Sequence, residues 1–388
     1  MSTLIKNDFI KRYKLTLTTL GPVHVGSGVQ ANQKEFYQAG EQIFFPNVGA
    51  LYLLLEDEQR EQFEQAVMQG SEMDRSVKNS QVKAGQRLDE ILRNIGAHDI
   101  TPEKHASVFG LAFDVSTTAK KPVPARNSVA GRGRQKYLIP QAPGAANAPK
   151  QEKLNVVNRF IRDGFGDPYI PGSSLKGMLR TLLFEYFVIR KVTTDWSEDV
   201  KLDQGTESKL SKIFENIIVA DSVALKNTDL MVCQKVDRSQ KGENNGLPLF
   251  RECLKPGVVL EFDISVTEAQ NKKTSEHAMK DGKWIANIAN IAQVVYSERY
   301  SEYRSKFALA SDDGAYTFLG AGAGFRSKTV VNSEKTMAET LENQFREIPF
   351  KKKQSEGAGI PLSYKVSLDK TGKLLEMGKC KIEVTELQ

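Results

Sequence analysis

The most constraining stretch of this chain is PYIPGSSLKGMLRTLLFEYFVIRK, residues 168–191. Proline fixes its own φ and disfavours helix in the residue before it, so the chain is extended up to Pro171 and free to turn helical after it. Ser173 or Ser174 can accept from the first free amides. Leu175, Met178, Leu179, Leu182, Leu183, Tyr186 and Phe187 recur at steps of three and four. That spacing predicts a helix over 173–191 with one broad apolar face, and such a face must be covered by another layer.

The covering layer is legible as strands. Tyr13–Leu20 alternates strand-forming residues. Gln42–Phe45 is a second short strand, followed by Pro46 and an apolar stretch, Val48–Leu55. A helix is expected over Asp57–Met68, and a polar helical region over 71–105 with Leu88, Ile91, Leu92 and Ile95 as its buried stripe. Strands are expected at Ile217–Asp221, Leu230–Val236 and Tyr316–Leu319, and a helix from Ile285 to about Phe307. Phe250–Leu254 and Val258–Val266 flank Lys255–Pro256–Gly257, which predicts a hairpin. Two further strands are expected around Thr371–Gly372. Strands and helices in unequal alternation favour an α+β fold over a doubly wound sheet. IFFPNVGALYLLL and PYIPGSSLKGMLR share one order of strand, proline, small residues and helix, a faint internal echo. PQAPGAANAPK, at the end of 115–151, is the best linker and places a boundary near residue 150.

Charge is concentrated rather than large. Residues 115–151 hold seven lysines and arginines and no carboxylate, while the whole chain carries a net charge of +6. One segment therefore holds the entire excess, including Arg126, Arg132, Arg134 and Lys136, as an electrostatic footprint for phosphates would. A solvated basic loop has the same composition. Three cysteines without CxxC spacing suggest neither a disulfide framework nor a zinc site. No metal or cofactor is expected. The N-terminal MSTLIKNDFIKRYK lacks an apolar signal core and no apolar run reaches spanning length, so a cytoplasmic protein without a membrane partner is expected.

Three short motifs carry chemistry. The first, GPVHVGSG at 21–28, turns after the first strand and contains His24, Gly26 and Ser27. A histidine there could serve as general acid or base in RNA cleavage, or pack at the turn. The second is the helix start, where Gly172–Ser174 amides and the helix dipole favour an anion, and Lys176 and Arg180 share a face beside Gly177. The third, FLGAGAGFRSKT at 318–329, exposes amides at Gly320, Gly322 and Gly324 and adds Arg326 and Lys328. It fails the P-loop pattern because Ser327 precedes Lys328, and GAGAG is one residue short of GxGxxG. A fourth stretch, YSERYSEYRSKF at 296–307, spaces Tyr296, Tyr300, Tyr303 and Phe307 as a core stripe, although aromatics with Arg299 and Arg304 could also stack bases.

Together GPVHVGSG, YIPGSSLKGMLRT and LGAGAGFRSKT resemble the RAMP superfamily of CRISPR proteins, and within it the fifth-subunit family of type III-A (Csm) effector complexes. IVADS, residues 218–222, and the RECLKPG turn fit the same resemblance. It implies two ferredoxin-like (RRM-like) RAMP units with insertions, 1–150 and 151–388. It implies an RNA-binding subunit that caps the guide RNA at its 3′ end and supports guide maturation and antiviral defence, not itself an enzyme. Implied partners are the guide RNA, the backbone and small subunits of the complex, and, less directly, target RNA and host nucleases. The RNA-contacting residues it implies are His24, Gly26, Ser27, Ser173, Ser174, Lys176, Arg180, Gly320, Gly322, Gly324, Arg326 and Lys328, joined by Arg126, Arg132, Arg134 and Lys136 of the basic segment. Ala321 and Ala323 stand where the family often has an aromatic, which weakens any stacking from that loop. A metal-independent guide-processing endoribonuclease using His24, and a mainly structural assembly subunit, remain the alternatives.

Overall fold

The computed structural model describes residues 10–72, 87–116, 156–190, 213–267, 283–328 and 363–387, together with Leu154, Val330 and Pro361. The basic residues Arg126, Arg132, Arg134 and Lys136, and the linker around residue 150, lie outside the described residues.

The first strand, β1 (Ile10–Thr19), buries Tyr13, Leu15, Leu17 and Thr19 on one face and leaves the intervening residues partly exposed, as its alternation predicts. It sits in the middle of a five-stranded sheet with β7 (Ile217–Val219), β10 (Val259–Thr267), β11 (Tyr316–Phe318) and β14 (Lys379–Leu387). The order is β11-β14-β1-β10-β7 and every neighbouring pair is antiparallel. Leu15 faces Phe262 and Val384 across the sheet, and Leu17 faces Leu260 and Ile382. These cross-strand apolar pairs fix the register, because a slip of one residue would turn every one of them to the other face.

Among the described residues the second sheet has nine strands. β2 (Gly26–Asn32), β6 (Val156–Phe160), β9 (Asn244–Leu254), β8 (Leu230–Ser239), β5 (Phe113–Ser116), β4 (Gln42–Phe44) and β3 (Tyr37–Ala39) follow one another. β12 (Ser363–Leu368) pairs with the far half of β8, and β13 (Leu374–Glu376) with β12. Both sheets draw strands from either side of residue 150: β1 lies between β10 and β14, and β2 lies against β6.

Short helices α1 (Val48–Leu54), α2 (Asp57–Glu72), α3 (Leu88–Asn94) and α4 (Ala106–Phe109) close a satellite core around Leu51, Phe63, Leu88, Ile91 and Phe109. The long helix α5 (Gly172–Arg190) matches the predicted span. Its Leu175, Leu179, Leu182 and Leu183 enter the main core together with Leu15, Phe262 and Ile382 of the first sheet. Each such side chain contributes roughly 1.5–3 kcal/mol of burial, so this face dominates the docking of α5.

Two expectations are corrected. The turn at Lys255–Gly257 is present, but it does not make a hairpin: β9 belongs to the second sheet and β10 to the first. The turn is pinned to the end of β1, where the Thr19 hydroxyl donates to the Lys255 carbonyl (2.6 Å) and the Gly257 amide donates to the Thr19 carbonyl (2.7 Å). Pro-Gly chemistry marks where a chain turns, not which strands then pair. The helix expected over 285–307 is broken into α6 (Lys283–Ala286), α7 (Ile288–Val295), a wider π turn at Tyr296–Tyr300, and α8 (Ser301–Ser305). The π turn lets Tyr296 reach Asp312 and Lys379 while Tyr300, Tyr303 and Phe307 stay in the core.

Candidate nucleic-acid interface

The first turn follows from the end of β1. Its apolar residues Val23 and Val25 are buried, and His24 between them is only 3% exposed. The His24 ring lies edge-on to Phe160, and its Nδ1 is 2.7 Å from the Glu252 carbonyl. A carbonyl only accepts, so Nδ1 carries the proton in that bond. Burial holds the His24 pKa below its ordinary value, which keeps the ring neutral. The Glu252 carboxylate is itself buried and accepts from Arg159 Nε (3.0 Å), the Phe160 amide (2.8 Å) and Arg162. His24 is thus part of a packed junction. Gly26 and Ser27, two residues on, are exposed and open the edge strand β2.

The glycine-rich loop rests directly on this turn. The Ala321 amide donates to the His24 carbonyl (2.7 Å), the Leu319 amide to Gly378 (2.8 Å), and the Gly378 amide to Pro22 (2.8 Å). Gly320 has φ +83°, and a Cβ there would lie 2.3 Å from the His24 carbonyl oxygen, so only glycine allows the contact. Gly322 and Gly324 are half-buried in the same loop and Lys328 is exposed. Arg326 does not project to solvent: it is 5% exposed, its Nη1 is 2.6 Å from Glu185 Oε1 on α5, and its guanidinium lies over the Tyr300 ring.

At the start of α5 the anion position is filled from within the chain. Asp221 Oδ1 accepts the Gly172 amide (2.7 Å), and the Ser174 amide donates to the Pro171 carbonyl (2.9 Å). A Cβ on Gly172 would lie 2.3 Å from the Val219 carbonyl oxygen, so glycine is what brings the helix against the end of β7. Lys176 Nζ donates to the Ile217 carbonyl at 2.8 Å. Ser173 and Gly177 are exposed, and Ser174 and Arg180 are half-buried.

The first and third motifs therefore form one bonded junction. The second joins it along α5 through the Glu185–Arg326 pair. Sequence reasoning missed Arg251 of β9, whose side chain approaches the loop: a Cβ on Gly322 would be 3.5 Å from its Nη1. That Nη1 is buried without a hydrogen-bond partner, and burial lowers the Arg251 pKa. Nothing in RECLKPG marks this arginine, because the loop it meets is some seventy residues away in sequence. Among the described residues, no group of three or more His, Cys, Asp or Glu could hold a metal ion, and no helix is long and apolar enough to cross a membrane.

Comparison with known proteins bears on these motifs. The sequence pattern of the RAMP superfamily matches residues 16–326. "CRISPR system Cms protein Csm5" of Mycobacterium tuberculosis is 29% identical, the alignment covering 97% of this chain and 99% of the relative. The protein of the same name from Streptococcus thermophilus is 30% identical over 84% of this chain and 82% of its own length. Two solved structures overlap more loosely: a chain of a Csm-crRNA-target RNA ternary complex (15% identity, 96% of this chain and 100% of that one, TM-score 0.46) and Csm5 of T.onnurineus (16% identity, 94% and 99%, TM-score 0.45). The motif spacing, the matched span and the near full-length relatives agree: this chain belongs to the RAMP superfamily and, within it, to the family of Csm5 proteins.

Proposed function

We propose that the chain is an RNA-holding subunit of a type III-A CRISPR effector complex that does not itself cut RNA. In this reading it caps the guide RNA at its 3′ end and supports guide maturation and antiviral defence in the cytoplasm, beside the backbone and small subunits. Target RNA and host nucleases are further partners. The observation that carries the reading is the bonded junction of the first turn with the glycine-rich loop, from which Gly26, Ser27 and Lys328 are exposed and Gly322 and Gly324 half-exposed. Small residues with accessible backbone let a phosphate backbone approach closely, and single-stranded RNA is held through such contacts without base specificity. The burial of His24 supports a holding rather than a cleaving role, because a general acid or base must reach its proton.

The ferredoxin-like assignment belongs to the same reading. The path β1, α5, β7, β10, α7, β14, with β1 and β10 central in an antiparallel row, supports a β-α-β-β-α-β unit. The division into 1–150 and 151–388 is kept as a proposal about sequence units, with β1 exchanged into the sheet of the second.

The test is incubation of the purified chain with precursor guide RNA and with a mature guide. Retention of both without cleavage is expected. Cleavage abolished by His24→Ala would overturn the reading in favour of the endoribonuclease. Guide crosslinking in the complex that survives replacement of Gly26, Ser27 and Lys328 together would favour the assembly subunit.

A further inference from the structure

Among the described residues, several buried or half-buried arginines are held by carboxylates or carbonyls. Arg159 and Arg162 share Glu252, Arg304 holds Glu376 and Asp312, Arg326 holds Glu185, and Arg238 donates to the carbonyls of Phe307, Gly242 and Ala308. Arg251 and Arg299 depart from this pattern, each with a buried guanidinium nitrogen that lacks an acceptor; Arg299 lies beside the Glu185–Arg326 pair, whereas Arg251 faces the glycine-rich loop. Arg251 stands mid-strand in β9, paired with Cys233 on one side and Asn158 on the other, and its Nη1 is out of solvent with no acceptor. On its own face its strand neighbours are Asn158, whose amide is engaged by Gln30 and the Phe250 carbonyl, and Cys253, which packs with Cys233 and Met377. The guanidinium ends against Gly322, in the loop whose backbone is turned back by three positive-φ glycines.

An unpaired guanidinium in a partly desolvated place is costly, and the cost is removed by an anion that two of its donors can grip. Among the described residues no carboxylate pairs with it: Glu252, the adjacent residue, points to the other face and is saturated by Arg159, Arg162 and the Phe160 amide. We propose that Arg251 and the Gly320–Gly324 loop form an anion subsite for one backbone phosphodiester of single-stranded RNA, with Gly322 left without a side chain so that the phosphate can reach the guanidinium. This rests on the RNA-holding reading and deepens it by naming the residue that grips. The lowered pKa of Arg251 has the same origin, burial without a counter-charge, and an anion in place reverses it.

The subsite makes opposite demands on stability and on binding, which separates it from a structural role. Arg251→Met keeps the stem and removes an unpaired charge, so the urea midpoint of the full-length chain should hold or rise. Its affinity for an unstructured RNA oligonucleotide should fall about tenfold near 0.1 M salt, and the log–log salt slope should flatten by about 0.7, one phosphate's worth. Arg251→Lys should retain the slope while binding more weakly, since a point charge replaces the fork. Gly322→Ala should mimic the methionine variant in binding. Inorganic phosphate should raise the midpoint of the wild type and leave that of Arg251→Met unchanged, which shows the site takes phosphate without the RNA chain. If the wild type binds RNA and Arg251→Met binds with the same slope, the subsite is refuted while the RNA-holding reading stands. A lowered midpoint with unchanged binding also refutes it, in favour of packing. If the wild type binds no RNA while phosphate still stabilises it through Arg251, the holding reading fails and a free-anion site takes its place.

Discussion

Replacing Arg326 distinguishes a structural arginine from an RNA-contacting one. In Arg326→Leu the Glu185 carboxylate, 1% exposed and already lacking a partner at Oε2, would lose the guanidinium 2.6 Å from Oε1. Breaking a buried ion pair from one side costs about 3–5 kcal/mol, because an uncompensated charge stays behind. Burial raises the Glu185 pKa even with Arg326 opposing it, so without the arginine the carboxyl is pushed further toward its neutral form. An acid whose folded pKa is raised is stabilising below its unfolded value, and that contribution is lost as pH rises through the folded value. The deficit of Arg326→Leu should therefore be largest near pH 8 and shrink toward pH 5. Arg326→Leu with Glu185→Leu should recover most of it, since an apolar pair can replace a buried ionic one with little loss. The assay is urea unfolding of the four proteins of the cycle at both pH values. A single variant as stable as the wild type at pH 8, but with RNA binding lost, would contradict the reasoning and return Arg326 to the RNA surface.

Three more consequences are open to measurement. Gly320→Ala should lower the unfolding free energy by at least about 1 kcal/mol from the left-handed backbone alone, and by more because its Cβ meets the His24 carbonyl; an unchanged urea midpoint would dissolve the junction. His24, held neutral by burial, binds a proton in the unfolded chain below about pH 6.5, so stability should fall as pH drops from there through its folded pKa, and His24→Gln should flatten that slope. At Glu376 burial raises the pKa, but Arg304 and Lys379 outweigh it and the net shift is downward. That contribution is present above its unfolded pKa, near 4.5, and is lost as pH falls through the folded value, so Glu376→Gln should show a shallower acid limb in a pH-dependent thermal melt.

Local structure was well written in the sequence. The alternation of Tyr13–Leu20 gave β1, the apolar stripe gave α5 nearly to the residue, and the glycines of 320–324 all take the positive φ that only glycine adopts freely. Tyr296, Tyr300, Tyr303 and Phe307 are core, as their spacing favoured. Pairings between distant residues were hidden. Asp221 fills the helix start from 49 residues away, and Glu185 claims Arg326 across 141. A basic residue beside a glycine loop looks the same in sequence whether a phosphate or a buried carboxylate awaits it. The strands β9 and β10 were misjoined for a related reason: a turn fixes chain direction over four residues, and sheet membership is decided by apolar faces far along the chain.

Ultraviolet crosslinking of guide RNA within the native complex, with the attached peptides of this chain read by mass spectrometry, bears most directly on whether the chain holds RNA at its small-residue turns. Crosslinks should concentrate on peptides spanning Gly26–Gln30, Arg251 and Gly320–Lys328. A guide that crosslinks to this chain only elsewhere, or to other subunits alone, would contradict the account.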